Sequence, residues 1–67
     1  MKSIIKVSNM RSAKDVGSIR MALGNLEGVM ACQIKRDKGE IDIVYDKYFI
    51  NINEIYELLE DMGYTIV

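Results

Sequence analysis

Hydrophobic and polar positions along the chain change period four times, and each change marks a new element. Ile5 and Val7 alternate with Lys6 and Ser8, which predicts a half-buried strand from about Lys2 to Ser8. A polar break, Asn9 to Arg11, follows. From Ser12 the apolar positions fall three or four apart: Val16, Ile19, Leu23 and Leu26 make one stripe on a helix of about four turns, with Ala22 beside it. Asn25 and Gly28 bracket the stop, and Gly24 marks either a close approach or an early fray. A hairpin comes next. Cys32 and Ile34 face inward on one strand and Ile41, Ile43 and Tyr45 on the other, joined by the turn Asp37-Lys38-Gly39. After the connection Asp46 to Phe49, Asn51 and Glu54 have capping-box spacing ahead of Ile55, Leu58, Leu59 and Met62. Gly63 ends that helix, and Tyr64-Thr65-Ile66-Val67 has strand propensity.

The predicted order is β-α-β-β-α-β, within one domain over 1–67. This is an α+β, ferredoxin-like sandwich: a four-stranded antiparallel sheet, in the spatial order 4-1-3-2, with two helices on one face. At 67 residues the chain is near the lower limit for folding without staples, so nearly all of its 49% hydrophobic residues must serve one core.

Composition then removes functions. A net charge of −1 gives no general pull toward nucleic acid or anionic membranes. The outward strand positions Lys6, Ser8, Asp42 and Val44 offer no stacking rings for RNA. There is no histidine, the commonest general base and metal ligand. Cys32 is the only cysteine and has no disulfide partner within the chain. No apolar run has the length of a signal peptide or a membrane span, so a cytoplasmic location is expected, with no membrane insertion. Nothing pairs a nucleophile with an oriented base. Asp42 and Asp46 share a strand phase but lie on an open sheet surface, so no enzyme activity and no cofactor is expected.

Residues along the whole chain carry a family resemblance. They are Met10 in the first loop, Ala22-Leu23-Gly24-Asn25-Leu26-Glu27-Gly28-Val29, Cys32 and Ile34, Ile41 to Asp46, and Ile55 to Leu59 with Glu60-Asp61-Met62-Gly63-Tyr64. In these the chain resembles the heavy-metal-associated domain family of small copper chaperones and copper-transporting ATPases. The resemblance implies a Cu(I) site of two cysteines, separated by two residues, between the first loop and the first helix. Here Ser12 and Asp15 occupy those positions, in the run Met10-Arg11-Ser12-Ala13-Lys14-Asp15. A hydroxyl and a carboxylate do not replace two thiolates for a soft ion, so no metal ligands are assigned. The same resemblance implies that Met10 and Tyr64 approach each other.

Ser12 and Asp15 also have the spacing of a capping box, with an interaction surface and weak hard-cation binding as the alternatives. Cys32 reads as core. Tyr48 and Phe49 plug the start of the second helix, or one of them is an exposed anchor. Arg11, Lys14 and Arg20 on the first helix oppose Glu54, Glu57, Glu60 and Asp61 on the second, a segregation able to steer a partner. The expected function is a protein interaction or regulatory module that acts as a monomer or weak dimer. Its candidate surface is Met10, Arg11, Ser12, Lys14, Asp15 and Tyr64. The alternative is an atypical metal carrier using Asp15, Ser12, Met10 or Cys32.

Overall fold

The computed structural model describes Met1–Val67. Its elements are β1 (Lys2–Lys6), α1 (Ala13–Gly24), β2 (Val29–Lys35), β3 (Glu40–Tyr45) and α2 (Ile52–Asp61), with a 3₁₀ turn at Arg36–Lys38. The antiparallel sheet has the order β1-β3-β2. Side chains alternate across it as the two-residue period requires. In register, Ile5, Ile41 and Ile34 form one inward row, and Ser3, Ile43 and Cys32 the next. Ile19 and Leu23 of α1 and Ile55 and Leu59 of α2 are fully buried in one cluster with Ile5, Ile41 and Ile43. Each such side chain is worth roughly 1.5–3 kcal/mol when buried, so this cluster is what orders the chain.

The sheet has three strands, not the four expected. The tail makes a single bridge, Val7 to Ile66, with backbone hydrogen bonds from Ser8 N to Thr65 O and from Val67 N to Lys6 O. Competition for its backbone groups explains the difference. Tyr64 N–H is taken by the Leu59 carbonyl at 3.0 Å, and Thr65 N–H by the Asn9 side-chain oxygen at 2.8 Å. A ladder cannot propagate through amides that are already committed. β1 ends at Lys6 rather than Ser8, although Val7 N–H still bonds the Gly39 carbonyl at 2.8 Å beyond it.

Two further expectations change. Gly24 is simply the last residue of α1 and faces open space, so no close approach required it. Tyr48 and Phe49 do not plug α2; both are exposed, and Ile50 is the buried residue. The turn decides this. Asp46 caps it, its Oδ1 accepting from Tyr48 N and its carbonyl from Phe49 N and Ile50 N. Ile50 then lies against Gly28, where an added Cβ would stand 3.0 Å from Ile50 Cγ2.

Gly39 closes the β2–β3 connection at φ 63°, a conformation costly for residues with a Cβ. An alanine Cβ there would also lie 2.7 Å from the Val7 carbonyl oxygen, a backbone atom that cannot rotate away. Gly39→Ala is therefore expected to destabilise the domain by about 1–3 kcal/mol, read as a lower urea midpoint. A midpoint equal to wild type would show that the connection tolerates a different geometry.

Candidate functional site

The loop between β1 and α1 is ordered by its own side chains. Ser12 is the N-cap of α1, extended at φ −121° and ψ 164°, and its hydroxyl accepts from Asp15 N at 3.2 Å. Asp15 answers: its Oδ2 accepts from Ser12 N at 3.1 Å and from Arg11 N at 3.0 Å. The capping box predicted from spacing is thus complete, and it carries one donor more than the usual pair. A negative charge at a helix N-terminus is further favoured by the helix dipole.

The second carboxylate oxygen is engaged from the other end of the chain. At the end of α2, Gly63 N–H bonds the Glu60 carbonyl and Tyr64 N–H the Leu59 carbonyl, with Gly63 at φ 96°. This is the Schellman arrangement, which reverses the chain through a left-handed glycine. It aims Tyr64 at the first loop, where its hydroxyl donates to Asp15 Oδ1 at 2.8 Å. Asn9 closes the same junction, donating to the Gly63 carbonyl at 2.9 Å and accepting from Thr65 N at 2.8 Å.

Of the six candidate residues, Ser12, Asp15 and Tyr64 are brought into one hydrogen-bonded group. Met10 is buried beneath it, while Arg11 and Lys14 are exposed at its rim. Asn9 was missed. Its signal was only a polar residue at the strand end, and its partners lie more than fifty positions away. Cys32 sits on the inner face, in register with Ile43 and Ser3, but is half-buried rather than enclosed. Its row is four residues from Val7 along β1, roughly 13 Å at strand rise. It does not join the first loop, and no three His, Cys, Asp or Glu side chains converge anywhere in the fold.

The hydrogen bonds set the charge state. Arg11 N–H, then the Tyr64 hydroxyl, then Ser12 N–H hold the Asp15 carboxyl down from 3.8 to about 2. Burial and the Asp15 carboxylate push the Tyr64 phenol up from its ordinary value. A carboxyl depressed in the folded state stabilises it fully above about pH 4, and this contribution falls away as the pH drops toward 2. The tyrosine bond stabilises at neutral pH and is lost once the medium is alkaline enough to ionise the folded-state phenol. Tyr64→Phe should therefore raise the Asp15 midpoint in a carboxyl NMR titration, and Ser12→Ala should cost about 1 kcal/mol. An unmoved Asp15 midpoint in Tyr64→Phe would mean that the phenol does not hold the carboxylate in solution.

No protein-family model matches the chain. It is 24% identical over 66 residues to the copper chaperone CopZ of Staphylococcus aureus, an alignment covering 98% of this chain and 97% of that one. Its fold superposes on the structure of a CopZ metallochaperone with a TM-score of 0.95 at 24% identity, covering both chains completely. A copper-binding domain from HMA7, a P-type ATPase, is 28% identical with a TM-score of 0.90, covering 98% of this chain and 92% of that one. Along its whole length the chain is thus similar to CopZ-type copper chaperones and shares their fold, with one cysteine and no cluster of metal-ligating side chains.

Proposed function

We propose that this domain is a non-enzymatic interaction or regulatory module that uses the chaperone scaffold without holding Cu(I) tightly in its first loop. One observation carries the reading: Asp15, at the position where the resemblance implies a thiolate, already has both oxygens engaged by three donors. To bind a cation it would have to break the cap of α1 and release Tyr64. The ligand chemistry points the same way, since a hydroxyl and a carboxylate suit neither the softness nor the low coordination number of Cu(I). Arg11 and Lys14 beside them add like charge to any arriving cation.

With the loop self-satisfied, its rim is what a partner would meet. Arg11, Lys14 and Arg20 are exposed on and around α1, and a shallow cleft between α1 and β2 runs from Ala13 and Val16 to Arg20 and Arg36. Such a surface suits an acidic protein partner. A cytoplasmic location goes with this reading, by likeness to the copper chaperones.

Anaerobic Cu(I) titration against a calibrated competing chelator tests it. Wild type and Cys32→Ala are both expected to leave the chelator's copper in place. Ser12→Cys/Asp15→Cys, which restores two thiolates at the start of α1, is expected to compete for one ion per chain. One tightly held ion in wild type, lost in Cys32→Ala, would overturn the proposal and favour a carrier working through the half-buried Cys32.

A further inference from the structure

The pole opposite the first loop has the contrary character. There β1 and β2 begin, β3 ends, and the turn 46–50 leads into α2. Tyr48 is 87% exposed, Met30 69%, Phe49 66% and Met1 64%, and these are four of the seven large apolar residues left open to solvent. They are contiguous. Two shallow depressions share Met30 and Asp46: one is bordered by Met1 and Tyr48, the other by Phe49 and Glu27.

The backbone puts these side chains outside. β2 has one residue more than β3 between the pairs Val29–Tyr45 and Ala31–Val44, and the extra residue is Met30. A bulge of this kind re-aims its side chain. The turn capped by Asp46 sends Ile50 inward and leaves Tyr48 and Phe49 out.

We propose that this pole is the contact surface of a weak two-fold dimer of the chain. Three observations select a second copy as the occupant. The patch contains both halves of a favourable pairing, thioethers and aromatic rings, so a two-fold axis can set Met30 of one copy against Tyr48 or Phe49 of the other. Its rim is mixed in sign, with Lys47 beside Tyr48 and Glu27 and Asp46 beside Phe49. That rim is complementary to itself and gives no preference to a strongly charged surface such as nucleic acid or an anionic membrane. Four partly exposed side chains, at most about 150–250 Å² each, make a patch smaller than the ~800 Å² that each partner of a standard interface contributes. That places the association in the weak class.

The surface lies away from the first loop, so this proposal stands or falls independently of the Cu(I) result. Sedimentation equilibrium and amide NMR over a dilution series from millimolar downward test it. The expected result is a monomer–dimer equilibrium with concentration-dependent shifts at Met30, Lys47, Tyr48 and Phe49 and none at Ser12 to Asp15. Tyr48→Asp and, separately, Met30→Lys should raise the dissociation constant about tenfold or more, the loss of one interface anchor. Neither side chain supports the core, so both variants should keep the wild-type amide spectrum outside the patch. Lys47→Glu should weaken pairing, and mixing it with Glu27→Lys should restore it. A monomer at every concentration would overturn the proposal, as would a dimer indifferent to both Tyr48→Asp and Met30→Lys.

Discussion

The Asp15 carboxylate is the interaction on which the functional end of this domain depends. Its three donors come from Arg11 in the first loop, from the N-cap of α1 and from Tyr64, three residues past the end of α2. The last lies 49 positions away in sequence. One charged group therefore fixes where α1 starts and also fastens the end of α2 to it. Charge-assisted hydrogen bonds are the stronger kind, and a carboxylate accepting several of them has little left to offer a ligand. The same three bonds hold the loop in place and occupy both oxygens of the carboxylate.

Ser12 and Asp15 start a helix at the positions where the resemblance implies two thiolates, and they do so by different means. Thiolates at a helix start draw on a bound cation to balance their charge. Ser12 and Asp15 draw instead on backbone amides, which every helix N-terminus presents without partners. The substitution replaces dependence on an ion with a cap internal to the chain. Met10 is buried beneath the loop and Tyr64 lies beside it, so both are part of the same closed junction.

The two poles divide the molecule's surface between them. At the first loop the polar groups are mutually satisfied and the exposed residues are cationic. At the other pole, hydrophobic side chains stand in water with no counterpart in the fold. The outer face of the sheet lies between these extremes. Lys6 and Glu40 approach to 4.0 Å across it and Lys35 and Asp42 to 3.2 Å, beside the exposed Ile4.

Elements that rest on neighbours in sequence were legible from the chain alone. The stripes Ile19–Leu23 and Ile55–Leu59 follow from helical period, the Ser12–Asp15 and Asn51–Glu54 caps from a spacing of three, and the Gly39 turn from the one residue free to take a left-handed conformation. All of these are decided within a turn or two of backbone. What only the tertiary structure decided involves competition between distant groups. Thr65 has strand propensity, yet its amide belongs to Asn9, so no fourth strand forms. Phe49 is as apolar as Ile50, but the turn capped by Asp46 sends only Ile50 into the core and leaves Tyr48 and Phe49 outside. The reach of Tyr64 to Asp15 is the same kind of fact: a local pattern shows which groups need partners, and only the folded chain shows which partner arrives.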